Sequence, residues 1–351
     1  MTLRALESET DREAWLTIWQ RWSEREPSAH PSYVTSFARD EDRSVCLTYQ
    51  SPHGSVLFPV IERPLAVEPW TPDDVSARDL VTPYGYGGPF CFDVSDRDAL
   101  KSGFWEAFEA WAGQRRITSL FGRLSLFAEQ LLPWPRSVVE VQNNVVRRLD
   151  CTPDELWRDY AHKVRKNVKR ARRAGLAVEQ SEGARYIDDL CTIYDATMRR
   201  NDAADTYFFP RSFFETLVHE LAGNHMVFVV RDGNGRAVSA ELVLASSSHL
   251  YSFLGGTMHD AFADRPNDLL KHAVCEWGME TGRRAFVLGG GYGADDGIFR
   301  YKRSFAPTGT VPFRVGRLVV DEDSCAGLVE LRRQHDEGWQ PREGFFPAYR
   351  S

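Results

Sequence analysis

Apolar positions along the chain alternate between helical and strand-like spacing, and this pattern sets out the elements. Trp15, Ile18, Trp19 and Trp22 share one helical face, which predicts a helix over 8–25 with Thr10 or Asp11 as its cap. Residues 44–49 and 55–62 read as two strands joined through Ser51-Pro-His-Gly54. Leu100, Phe104, Phe108 and Trp111 predict a helix over 98–115, followed by a strand over 117–126. Thr152-Pro-Asp-Glu155 combines a cap, a proline at the first position and a capping-box partner. It opens a helix expected to run to about Ala174, where Gly175 stops it. Helices over 185–200 and 210–222 follow, then a hairpin (226–231 and 237–245) across Asp232-Gly-Asn-Gly235. A strand over 249–255 and a helix over 267–281, stopped by Gly282, lead to a buried strand, Ala285–Leu288.

The two halves repeat one layout of helices, hairpin, Gly-rich aromatic segment, helix and strand. The helices opening Leu100-Lys-Ser and Leu270-Lys-His both end in Gly and Arg-Arg before a strand. This predicts an α+β fold, a mixed α/β sheet in each of two domains of the same plan, with the linker near Asp150. A length of 351 residues suits two domains, and 42% hydrophobic with 26% charged residues marks an ordinary globular chain. The six cysteines are scattered without a CxxC pair, so reduced thiols and a cytoplasmic location are expected. The N-terminus lacks the look of a secretion signal and no apolar run is long enough to span a bilayer, so no membrane insertion is expected.

Charge changes the picture in one place. His162-Lys-Val-Arg-Lys-Asn-Val-Lys-Arg-Ala-Arg-Arg173 holds seven cations (Lys163, Arg165, Lys166, Lys169, Arg170, Arg172 and Arg173) and no carboxylate. In a chain of net charge −7 that concentration points to a phosphate-bearing partner, around a packed stripe of Trp157, Tyr160, Val164, Val168 and Ala171. The strand at Ala285 ends in Gly289, Gly290 and Gly291, which with Arg300 are candidates for a donor loop; Asp295-Asp296-Gly297 and a cluster of Phe299, Arg300, Tyr301, Lys302, Arg303 and Phe305 follow and read as the loop that carries Lys302. Bare backbone followed by cations and rings suits an anionic or acyl-bearing ligand. Tyr84 and Tyr86 lie in an exposed Gly-Tyr loop, and with Tyr207, Phe208 and Tyr251 they are candidates to line an acceptor pocket. Arg211 is a candidate partner for a carboxylate there. Metal, nucleotide-hydrolysing and serine-hydrolase motifs are missing; His219 and His225 do not have HExxH spacing.

The basic run from Lys163 to Gly175, the helix–strand pair from Asn267 to Gly290 and the segment Gly297-Ile-Phe-Arg-Tyr-Lys-Arg-Ser-Phe305 resemble the Fem-type (FemABX-like) aminoacyl-tRNA-dependent transferases. The resemblance implies two tandem GNAT-like acetyltransferase domains, 1–150 on the acceptor side and 151–317 on the aminoacyl-donor and tRNA side, with 318–351 returning to the first. It implies amide formation by aminoacyl transfer from aminoacyl-tRNA to a small-molecule amine acceptor, a natural-product (antibiotic biosynthesis) intermediate or a peptidoglycan precursor. Lys302, in Tyr301-Lys-Arg-Ser-Phe305, takes the position of the family's charge-stabilising lysine, and the basic helix faces tRNA phosphates. No cofactor is implied beyond the aminoacyl-tRNA co-substrate, and a monomer is expected. The alternatives are an acyl-CoA-dependent N-acyltransferase on the same fold and, further off, a non-catalytic RNA-binding protein. The Arg/Gln-x-x-Gly-x-Gly/Ala turn that holds CoA is missing before Asp98 and before Asn267. No general base stands out; Asp295, Asp296 and Glu241 are candidates.

Overall fold

A computed structural model describes residues 2–72, 74–293 and 295–351. Ala294, just before the acidic turn singled out above, lies outside the described residues. In chain order the elements are β1 (Leu3–Glu7), α1 (Arg12–Arg21), α2 (Pro31–Thr35), β2 (Arg43–Ser51), β3 (Gly54–Pro64), β4 (Arg78–Val81), β5 (Phe90–Phe92), α3 (Arg97–Gln114), β6 (Ile117–Arg123) and β7 (Ser137–Arg148). Then come α4 (Pro153–Asp159), α5 (His162–Arg173), β8 (Ala177–Ser181), α6 (Ile187–Arg200), α7 (Arg211–Glu220), β9 (His225–Arg231), β10 (Ala237–Ala245) and β11 (His249–Thr257). The chain closes with α8 (Pro266–Glu280), β12 (Ala285–Gly289), α9 (Gly297–Arg303), β13 (Thr310–Val319) and α10 (Glu322–His335).

Two compact units result: Met1–Val141 with Phe313–Ser351, and Gln142–Pro312. The sequence reading sets its borders at 150/151 and 317/318; in the structure the divisions fall after Val141 and after Pro312.

The first unit holds strands in the order β1-β2-β3-β4-β6-β13, with β5 on β3. Neighbours are antiparallel except β4 and β6, which run parallel. A parallel pair needs a crossover, and α3 supplies it. Asp96 caps that helix by accepting from the backbone N–H of Asp98 and Ala99. Leu100, Phe104, Phe108 and Ala112 then bury one apolar stripe among Tyr49, Phe58, Trp105 and Trp134. Each such side chain contributes roughly 1.5–3 kcal/mol on leaving water.

The second unit repeats the plan with the order β7-β12-β11-β10-β9-β8. Only β11 and β12 are parallel, and α8 crosses between them. The β9–β10 turn is the expected one: Asp232 Oδ1 accepts from the backbone N–H of Asn234 and Arg236.

Two expectations are corrected here. The helix from Thr152 is two helices, because Tyr160 is extended (ψ 141°) and turns the chain between α4 and α5. The segment after the glycines, read as a loop that carries Lys302, is the helix α9.

Candidate active site

The site is built where β11 and β12 part. Their pairing covers His249↔Ala285, Leu250↔Phe286 and Tyr251↔Val287 and goes no further, although β11 continues to Thr257. Beyond the last pair, Ser252 points to the α8 side and Gly290 continues from β12. Gly289 has a left-handed φ of 84°, which turns the chain out of the sheet.

Asp296 then organises the turn. Its carboxylate accepts from the backbone N–H of Tyr292 (2.6 Å), Gly293 (3.0 Å) and Phe299 (2.7 Å), the last as the cap of α9. These donors hold its carboxyl below the usual range. A Cβ on Gly291 would stand 2.3 Å from Asp296 Oδ1, and one on Gly290 would stand 3.0 Å from Asn143 O. The sequence reading has a ligand approaching these glycines; the close neighbours in the structure are the chain's own atoms. Asp296 is likewise removed as a base, since its lone pairs serve backbone donors. Asp295 pairs with Arg303 (3.2 Å) and, at 3.9 Å, with Arg300, so exposed Arg300 belongs to this surface turn.

One helical turn later, half-buried Lys302 donates from Nζ to Gly290 O at 2.6 Å. An ammonium has three N–H donors, so this bond leaves two for a ligand. Burial, with Lys271 nearby, pushes its pKa down from 10.5 to about 8, against the pull of Glu241 and Asp296.

Behind Lys302 lies a buried polar cluster. Lys271 of α8 donates to Glu241 Oε1 (2.5 Å) and to Ser252 Oγ (2.7 Å). Ser252 also donates to Glu241 Oε1 at 2.5 Å. Glu241 and Lys271 are 4% and 6% exposed, so each neutralises a charge that burial alone would not tolerate. Glu241 Oε2 and the Tyr301 hydroxyl have no partner among the described residues. Asn167 of α5 donates to buried Asp268 at 3.1 Å, and burial lifts the Asp268 pKa to about 6. Sequence reasoning missed Lys271, Ser252 and Asp268. A signal existed: Lys271 lies three residues after Asp268 and four before Cys275, inside the stripe α8 buries.

The other candidates are dispersed. On α5, Lys163, Lys166, Lys169, Arg170, Arg172 and Arg173 are exposed around the buried Val164, Val168 and Ala171. Arg165 is half-buried, and its Nη1 caps the end of α4 through Arg158 O (2.8 Å) and Tyr160 O. Arg211 is exposed and paired with Asp188 and with Glu215 (2.7 Å), which uses the charge expected for an acceptor carboxylate. Tyr207 is exposed beside half-buried Phe208, and Tyr207 O accepts from Tyr194. Tyr251 is buried at the last β11–β12 pair. Tyr84 and Tyr86 lie in the first unit: Tyr84 stacks on Phe37 at 5.5 Å, and half-buried Tyr86 meets Phe313 edge-on. Among the described residues no three His, Cys, Asp or Glu side chains gather as a metal site, and no helix is long and apolar enough to cross a membrane.

Residues 158–303, nearly all of the second unit, match the family model of the acetyltransferase (GNAT) domain. The fold is that of two tandem GNAT-like domains. Among solved structures, FemX is similar at 12% identity and a TM-score of 0.62, over 81% of this chain and 89% of that one. The C-terminal domain of a protein described as a lysylphosphatidylglycerol synthetase from Agrobacterium fabrum is similar at 14% identity and a TM-score of 0.54, over 90% and 94%. L-PGS from Bacillus licheniformis follows at 13% identity and 0.51, over 79% and 85%. No curated protein matches the chain.

Proposed function

We propose that the protein is an acyltransferase that forms an amide by moving an aminoacyl group from aminoacyl-tRNA to a small amine. The observation that carries the reading is Lys302, held on Gly290 O where β11 and β12 part, with two N–H donors to spare. The amine attacks the ester carbonyl; the C–N bond forms, the C–O bond to ribose breaks, and one proton passes from nitrogen to the departing oxygen. Lys302 stabilises the oxyanion, and a pKa of about 8 suits it to hand a proton to the leaving oxygen and regain one from the amine. The ester is already activated, so positioning and charge supply the rest of the acceleration. Six exposed cations on α5 suit the tRNA phosphates. Similarity to FemX and to lysylphosphatidylglycerol synthetase supports the same reading. The acceptor is a peptidoglycan precursor or a natural-product intermediate, the protein acts as a cytoplasmic monomer, and no cofactor is required.

A second reading, acyl-CoA as donor, is favoured by the acetyltransferase description of the matching domain. Transfer of a labelled amino acid from charged tRNA to a pool of amines separates the two. Product that vanishes on RNase treatment is expected. Product that survives RNase and requires acyl-CoA overturns the tRNA reading.

A further inference from the structure

The first unit contains a cavity of about 510 Å³ that none of the acyl-transfer chemistry uses. It opens on the sheet of β3, β4, β6 and β13, under α10 and the segment Gly344–Arg350. Five arginines line it: Arg63, Arg123, Arg317, Arg332 and Arg350. Two carboxylates oppose them. Buried Asp79 takes Arg63 (2.7 Å) and Arg350, and Glu68 takes Arg350 (2.5 Å) and, at 3.3 Å, Arg39 from outside the lining. Arg317 and Arg332 have no carboxylate partner among the described residues, in a chain whose net charge is −7.

Single nitrogens of three guanidiniums also lack acceptors, although Arg317 Nη2 donates to Gly344 O at 2.6 Å and Arg350 pairs with Asp79 and Glu68. Arg317 Nε, Arg332 Nε and Arg350 Nη2 are buried nitrogens without a hydrogen-bond partner among the described residues. Leaving a buried charged donor unpaired is costly, and an anion with several oxygens removes that cost for more than one of them. The rest of the wall is aromatic. Arg123 lies over the Phe121 ring (5.3 Å) and Arg332 over Trp70 (5.2 Å), while Phe345 and Phe346 close one side. Rings beside a guanidinium accept a flat body as well as a charge.

We propose that the first unit binds a small organic anion, a phosphate or carboxylate head on a flat apolar body, between Arg317, Arg332 and Arg350 and the Phe121, Phe345 and Phe346 rings. The volume falls within the range of about 300–1,000 Å³ usual for small-molecule sites. The proposal stands apart from the acyl-transfer reading, because binding is measured with no acyl donor present.

The test is calorimetry on the full chain with phenyl phosphate, benzoate, inorganic phosphate and phenyltrimethylammonium. Saturable binding of phenyl phosphate or benzoate with Kd below about 1 mM is expected, and the tighter of the two names the head group. Inorganic phosphate binds more weakly and the cation does not bind. Arg317→Met and Arg332→Met each weaken binding about tenfold or more, with the unfolding midpoint of the free protein little changed. Arg332→Lys keeps the charge but loses the fork, and provides the reading if Arg332→Met fails to fold. The proposal is overturned if neither phenyl anion saturates, if the variants bind like the parent, or if inorganic phosphate binds as tightly as phenyl phosphate.

Discussion

The crossover helices α3 and α8 hold the same place in the two units, yet they bury different chemistry. Helix α3 buries Leu100, Phe104, Trp105, Phe108 and Ala112 and no ionisable group. Helix α8 buries Asp268, Lys271 and His272 among its apolar residues. Apolar residues at those three positions would pack at lower electrostatic cost. The scaffold alone therefore does not demand these charges. Lys271 lies near Lys302 and Asp268 near Tyr301, whereas His272 packs against Trp157 and Tyr160.

That contrast can be broken at several strengths. Lys271→Met leaves Glu241 buried and unpaired, and urea unfolding should show a loss of about 3–5 kcal/mol. Adding Glu241→Gln should restore much of it; a double variant no more stable than the single one would refute the buried-pair account. On α3, Phe104→Ala should cost a similar 3–5 kcal/mol through a cavity, which no charge change relieves. Next in size, Lys302→Met should lower turnover about 10²–10³-fold while the unfolding midpoint stays within a few degrees. An unaltered rate would remove Lys302 from the chemistry.

The pH dependence is smaller and has two opposite signs. As pH rises through about 8, folded Lys302 loses its proton while the unfolded lysine keeps it until about 10.5. In that window the unfolded chain binds more protons, so stability rises with pH. Transfer should fall over the same window, and Lys302→Arg should shift the fall to higher pH, because arginine stays charged. On α5, reversing Lys166, Lys169 and Arg170 to Glu should weaken tRNA binding and flatten its salt dependence by about one unit per lost phosphate contact. Arg211→Ala should change least, leaving the unfolding midpoint close to the parent's, since its two ion pairs are exposed and screened by solvent.

The elements with strong periodicity were readable: α3, α8 and the β9–β10 hairpin stand within a residue of the sequence expectation. The strands bordering each unit were not. In β7 the run Ser137–Asn143 is mostly exposed, so neither alternation nor an apolar run announces it. Helix α10 buries only Leu328 and shows no stripe. In the site, Lys302 was singled out by the family resemblance of Tyr301-Lys-Arg-Ser-Phe305, and the structure sets it on Gly290 O. Glu241 was a candidate base in the sequence, but its pairing with Lys271 was not legible, because two charges that neutralise each other 30 positions apart leave no mark of their contact. Arg165 shows the converse: it looks like its neighbours in sequence, but the break at Tyr160 supplies carbonyls that only it reaches.

That break has a mechanical consequence. Ala161, the residue just before α5, donates its backbone N–H to Ser304 O at 2.9 Å, two positions beyond Lys302. The basic helix and the lysine's helix are thus latched end to end. Any displacement of the start of α5 must therefore break that bond or carry the end of α9, and Lys302 with it.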